Sequence, residues 1–326
     1  MATIKEVARE AGVSVMTVSR VINNPDVVSK CKVESVYEAM KKLKYLPNQA
    51  AKSLVSNKTG VVKVLIPNTI ELNHPFSMNF IAGISESLSK HLYSFSLIRT
   101  TQITQKCDGL IVMGVNSKEE LDIIQNMDIP VVLFGNYDID NIDSVDADNH
   151  YGAYLMTEYL ISQGHKNIGM IVINDEKKFC YDRLNGYMKA LKDNNISVSS
   201  NLIKYAQNTE GDGYRAAMEL ISTEKLSAIF CSSDELALGV MRATKFFNKN
   251  VPHDISIAGF DGLGIHLLTE PKITTIRQPV YNIGIRLGDI LLDKIMNPSA
   301  SVTHEFLKPE LLIEQSVTKN YIMSKS

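Results

Sequence analysis

Apolar positions change their period at about residue 60, and the change divides the chain in two. Before it, Ile4, Val7, Ala8 and Ala11 recur at i, i+3, i+4 and i+7, one face of an α-helix, and Gly12 stops the run. Ser14 can cap a second helix in which Val18, Val21 and Ile22 repeat the spacing. A third amphipathic stretch over 32–44 turns Val33, Val36, Tyr37, Met40 and Leu43 toward the same small core. Pro47 restarts the chain, and 48–55 reads as one to two turns of helix, too short to be stable alone, with Ser56, Asn57 and Gly60 as its exit.

Beyond residue 60, short β-rich apolar runs alternate with amphipathic helices, which predicts parallel sheet covered on both faces. Strands are expected at 61–66, 94–98, 109–113, 131–134, 168–173, 228–231 and 255–260. Helices are expected near 77–91, 117–127, 149–163, 182–194, 211–223, 234–247 and 281–297. The fold class is α/β: a small all-α head, then two doubly wound α/β subdomains that split near residue 160 and leave a cleft between them.

Length and composition agree with two or three folding units. The chain has 326 residues, 44% apolar and 21% charged, close to ordinary globular usage. The opening MATIKEVAREAG has no apolar h-region, and no apolar run reaches the roughly 18 to 20 residues that span a bilayer, so a soluble protein with no membrane partner is expected. Cys31, Cys107, Cys180 and Cys231 form no C-x-x-C pair and read as isolated reduced thiols, which points to the cytoplasm. The net charge of −2 hides an asymmetry: residues 1–58 hold ten Lys and Arg against five Asp and Glu, leaving −7 for the rest. A basic head on an acidic body suits a protein that brings only its first segment to phosphates, although a solvated helical face would look the same.

The run from Thr3 to Asn23, TIKEVAREAGVSVMTVSRVIN, resembles the helix-turn-helix head of the LacI/GalR family almost position for position. Downstream, Gly164-His165, Arg183 with Gly186-Tyr187, Asp234 to Gly239, Gly259-Phe260-Asp261 and Thr274 to Gln278 stand in that family's order and approximate spacing. The resemblance implies a helix-turn-helix domain over 1–46, a hinge helix and linker over 47–58, and a periplasmic-binding-protein-like core over 59–326. Within that core, 59–160 with 279–300 would form one subdomain and 161–278 with 301–318 the other.

In such a head the second helix enters the major groove and its first exposed residues reach base edges. These are Val15, Met16 and Arg20: Arg20 can fork onto guanine, while Val15 and Met16 offer apolar surface to a thymine methyl, core packing being the alternative for Met16. Thr3, Ser14, Thr17, Ser19 and Asn23 suit phosphate contacts that fix register, or simple helix caps. The hinge resemblance adds Asn48, Ala51 and Leu54 as DNA contacts. Leu54 would wedge into the central base step of a near-palindromic operator, cheapest at a pyrimidine–purine step, with Ala50 and Ala51 letting two hinges pack. Without a homodimer Leu54 would be a mere exposed leucine, and no C-terminal leucine heptad argues for a tetramer.

For the effector, the resemblance implies that Arg183 forks onto adjacent sugar hydroxyls, Asp261 accepts from them, Phe76 stacks on the ring, and Ser233 and Asp234 line the site. A surface ion pair is the alternative for Arg183, and a core role for Phe76. Three departures stand out. Ser233-Asp234 replaces a common Asn-Asp, Gly135 stands where some sugar-binding members have an acid, and only eight residues separate Ile98 from Cys107, where the family fits a further helix. Because losing a covering helix would bare a sheet face, the last departure suggests a segment absent from the sequence.

No enzyme is expected. Gly211 to Ala216 matches the dinucleotide pattern G-x-G-x-x-A weakly, with a carboxylate, Asp212, where pyrophosphate would sit, and no other catalytic or metal motif is present; no cofactor is expected. A solute-binding protein would have no use for residues 1–56. Within the family, a catabolite-control regulator with a phosphorylated protein corepressor is the alternative, because 278–284 looks like that branch. Lys308 to Glu314, acidic and apolar, argues against it. The expected function is a sequence-specific repressor whose operator affinity is changed by a small sugar.

Overall fold

The structure, a computed structural model, describes residues 2–23, 27–45, 58–103, 105–115, 117–135, 137 and 139–320. By density of contacts the chain divides into two compact units, Met1–Gly60 with Lys106–Asp108, and Val61–Gln105 with Gly109–Ser326.

Among the described residues the first unit holds three helices. Thr3 starts α1 (Ile4–Glu10) with a reciprocal cap: the Glu6 amide donates to Thr3 Oγ1 at 3.4 Å, and Glu6 Oε2 accepts from the Thr3 amide at 2.7 Å. Gly12 turns the chain at φ +63°, a conformation that penalises any residue with a Cβ, and the Thr17 amide then donates to Ser14 Oγ at 3.1 Å to open α2 (Val15–Asn23). With α3 (Lys30–Lys42) these bury Val7, Ala8, Val18, Val21, Val36 and Ala39. Tyr37, expected in this core, is instead 49% exposed. It lies about 100° around the helix from Val36, off the inward stripe, and Ala39 is buried in its place. The expected hinge with Asn48, Ala51 and Leu54 lies outside the described residues.

The second unit holds two six-stranded sheets. The first runs β11–β5–β4–β3–β1–β2, all parallel, from β1 (Val61–Leu65), β2 (Ser94–Ile98), β3 (Gly109–Val112), β4 (Val131–Phe134), β5 (Asp143–Ala147) and β11 (His304–Leu307). The second runs β12–β10–β9–β8–β6–β7, from β6 (Ile168–Ile173), β7 (Ile203–Ala206), β8 (Ala228–Cys231), β9 (Ser256–Asp261), β10 (Thr274–Arg277) and β12 (Glu310–Leu312), with only β12 antiparallel.

On the first sheet α4 (Pro75–Lys90) and α10 (Val280–Met296) cover one face, burying Phe80, Ile84, Ile283 and Leu287 on Val62 and Val64. They cross closely: a Cβ on Gly83 would stand 2.0 Å from the Tyr281 carbonyl oxygen, so nothing larger fits. The opposite face carries α5 (Lys118–Gln125) and apolar residues from loops, among them Ile103, Tyr137 and Ile139, over Leu65, Leu110 and Leu133. Residues 99–108 lead from β2 to β3 without a helix among the described residues, and these loop residues do the covering.

On the second sheet α6 (Asn149–Ser162) and α7 (Lys178–Asp193) bury Met156, Leu160, Tyr187 and Leu191 on one face. On the other, α8 (Glu210–Thr223) and α9 (Asp234–Phe246) bury Leu220, Leu236 and Val240. The chain therefore passes between sheets three times, between β5 and α6, between β10 and α10, and between β11 and β12. The first passage falls at Asp148, earlier than the expected 160. The last differs too: 304–307, expected with the second subdomain, form the edge strand of the first sheet. Asp143 holds that edge, accepting the Thr303 amide at 2.8 Å and meeting Lys294 Nζ at 3.2 Å.

Candidate functional site

Two groups of side chains were expected to carry chemistry. In the first unit, Val15 is 41% and Met16 64% exposed, which removes core packing as the role of Met16. Arg20, one helical turn after Met16, is exposed on the same face of α2. Thr3 and Ser14 serve as caps, and Thr17 Oγ1 lies 2.9 Å from Ser14 Oγ. Ser19 is half-buried and Asn23 is the last residue of α2. The helix starts thus use three of the five expected phosphate-gripping side chains locally, while the expected base-reading side chains stand free of the core.

In the second unit the polar residues gather where strands and crossings end. Arg183, on the second turn of α7, is buried. Its Nε donates to Asn149 Oδ1 at 2.9 Å, and its Nη1 donates to the Ser232 carbonyl at 2.5 Å and lies 3.5 Å from Asp261 Oδ1. Its guanidinium sits 3.8 Å from the centre of the Phe260 ring and 4.9 Å from that of Phe179. A surface ion pair is therefore not its role. Burial pushes Asp261 up to about 6, with Arg183 and the Gln278 hydrogen bond opposing it. Gln278 Nε2 donates to Asp261 Oδ1 at 2.6 Å.

Asp261 has φ +121°, a strained value for a residue with a side chain, and its surroundings enforce it. The Gln278 amide donates to the Asp261 carbonyl at 2.9 Å, and the next amide, Gly262, donates to Asp234 Oδ2 at 2.9 Å. Asp234 Oδ1 accepts from Thr275 Oγ1 at 2.6 Å. Ser233 caps α9 by accepting the Leu236 amide at 3.2 Å, and its hydroxyl donates to Asn208 Oδ1 at 2.5 Å. Ser233 and Asp234 have no exposed surface and spend their hydrogen bonds on the protein. Together they hold the turn that carries Asp261.

The residue that does stand out from this turn is Glu235, whose Oε1 lies 2.5 Å from Nε2 of His74. His74 caps α4, accepting the Phe76 amide on Nδ1 at 3.2 Å, so the pair joins a helix on the first sheet to one on the second. The carboxylate beside it raises the pKa of His74 against the effect of burial. Phe76 is half-buried at the margin of the first sheet's core, its ring 5.5 Å from that of Phe134. Gly135 has φ +106°, so any residue with a side chain would be strained there. The dinucleotide-like Gly213 has a packing reason: its Cβ would come 2.5 Å from the Leu236 carbonyl of α9.

Sequence reasoning missed Asn149, Gln278, His74 and Glu235. Asn149 follows a strand too polar to be recognised, Asp143–Ala147, which hid the crossing there, whereas Gln278 stands at the expected end of the second subdomain's first stretch and was given no role.

A family profile described as bacterial regulatory proteins, lacI family, matches residues 3–48, and one described as periplasmic binding protein-like domain matches 157–317. The chain is 34% identical over 317 residues to the uncharacterized HTH-type transcriptional regulator YvdE of Bacillus subtilis (strain 168), covering 97% of this chain and 99% of that one. It is 32% identical over 336 residues to the HTH-type transcriptional repressor PurR of Vibrio vulnificus (strain CMCP6), covering 98% and 99%. The solved complex of the transcriptional regulator CelR with cellobiose superposes with a TM-score of 0.74 at 27% identity, covering 97% of this chain and 100% of that one.

Proposed function

Because the chain belongs to the LacI family of bacterial regulatory proteins, we propose that it is a dimeric repressor whose operator affinity is set by a small neutral saccharide bound in the cleft at Arg183 and Asp261. The observation that carries the effector half is the Arg183 guanidinium, buried, fixed by Asn149 and Ser232, and set over Phe260 beside Asp261. A sugar presents adjacent hydroxyls and an apolar ring face, and a buried fork beside a carboxylate and aromatic rings answers both. The solved CelR structure is a complex with cellobiose, which fits this class of ligand.

The DNA half rests on α2, where Val15, Met16 and Arg20 are exposed on a helix preceded by a tight turn. Two heads and two hinges on one near-palindromic operator would give the homodimer its symmetry. A ligand acts on such a switch only through its different affinity for the two states of the core.

The test is selection of operator DNA from random duplexes with the purified protein, repeated with a panel of sugars and sugar phosphates. A near-palindrome whose affinity one neutral sugar changes by about tenfold, a coupling of about 1.4 kcal/mol, supports the proposal. A palindrome with no small-molecule response favours a protein corepressor, and no selected sequence removes the repressor.

A further inference from the structure

One polar atom at the cleft is left without a partner. Glu235 Oε1 is taken by His74 Nε2, but Oε2 has no hydrogen-bond partner and no solvent-exposed surface. A buried carboxylate oxygen with nothing to accept is costly, by more than a neutral acceptor would be, and such atoms call for a function. The cations around it are already matched: Arg183 by Asp261, Asn149 and the Ser232 carbonyl, and His74 by Glu235 itself, with Asp261 and Glu71 as the other charges facing His74. This cluster therefore offers acceptors to a newcomer and no spare cation.

We propose that Glu235 is an effector-contacting residue, its Oε2 accepting a hydrogen bond from a hydroxyl or ammonium group of the ligand and so selecting uncharged or cationic saccharides against phosphorylated ones. The inference rests on the effector reading above. His74 is its positioning residue. By holding Oε1 from the N-terminus of α4, which packs on the other sheet, His74 fixes the direction of Oε2. An anionic group brought to Oε2 would meet a like charge in a poorly solvated place, with neither Arg183 nor His74 free to compensate.

The experiment is calorimetric titration of the full-length protein with ribose, glucose, cellobiose, glucosamine, ribose 5-phosphate and glucose 6-phosphate. The wild type is expected to bind at least one neutral or amino sugar, and to bind it better than either phosphate. Glu235→Gln and Glu235→Ala should each weaken that best probe about tenfold or more, the loss of one charge-assisted hydrogen bond, and narrow the gap to its phosphate. His74→Asn, which keeps a side chain able to cap α4, should weaken the probe while leaving the preference over phosphate in place.

A wild type that prefers a phosphate, or Glu235 variants with unchanged affinity while Arg183→Ala abolishes binding, overturns the role of Glu235 alone. If Arg183→Ala is also without effect, or no probe binds the wild type, the effector reading fails and this inference with it.

Discussion

Asp234 Oδ1 accepts the hydroxyl proton of Thr275 at 2.6 Å while its other oxygen takes the Gly262 amide at 2.9 Å, so one buried carboxylate clamps β10 to the turn that carries Asp261. Burial raises the pKa of Asp234 well above the usual carboxylate range, opposed by these two bonds. Asp234→Ala would leave two buried donors unpaired. It should lower unfolding free energy by about 2 to 5 kcal/mol in urea titration and release the strained φ of Asp261. If stability is unchanged, the clamp is not what holds that turn.

Arg183→Lys tests geometry against charge. A lysine keeps the cation but cannot serve Asn149, the Ser232 carbonyl and Asp261 from one planar fork. Effector response should be lost in Arg183→Lys as fully as in Arg183→Ala, with operator affinity retained, as read by gel shift with and without the effector. A lysine variant that responds normally would mean that charge alone suffices.

The His74 bridge gives a pH dependence of definite sign. A ring whose folded pKa is raised above its unfolded value contributes stability fully present below the unfolded value near 6.5, lost as pH rises through the raised folded value. Wild type should therefore exceed His74→Asn in thermal stability most at pH 6 and below, and the two should converge at alkaline pH. Protonation also forfeits the Nδ1 cap on Phe76, which caps the size of the effect. Parallel curves for the two proteins would remove the bridge from the energetics.

Gly83→Ala should be costly despite its small size. The new methyl would stand 2.0 Å from the Tyr281 carbonyl, so α4 and α10 must separate. The expected loss is about 1 to 3 kcal/mol, seen as a lower melting temperature. Little change would show that the crossing yields.

On the DNA side, Arg20→Ala should cost about 1 to 3 kcal/mol of operator binding and relax preference at one base pair, measured by titration on single-base operator variants. Loss spread evenly over all sequences would make Arg20 a phosphate contact.

The sequence was most legible where the apolar pattern was strong. Val131–Phe134, Ile168–Ile173 and Ala228–Cys231 form strands at the expected limits, because buried parallel strands are nearly continuous apolar runs. Asp143–Ala147, with two buried aspartates, carries no such signal, and its strand state depends on Thr303 and Lys294 far along the chain. The site followed the same rule. Arg183 and Asp261 stand in recognisable motifs, whereas Glu235 and His74 acquire meaning only by meeting across 161 positions of sequence.

The three passages between sheets bear on synthesis. Neither half of the second unit is one stretch of chain: the first sheet waits for His304–Leu307 and the second for Glu310–Leu312. On the ribosome the residues of the three-helix head emerge first and can bury their small core at once, while both halves behind it keep an open edge until the last strands leave the exit tunnel. A nascent chain thus has its DNA-binding head before either sheet behind it is complete, and a chain cut before His304 would lack an edge strand in both sheets together.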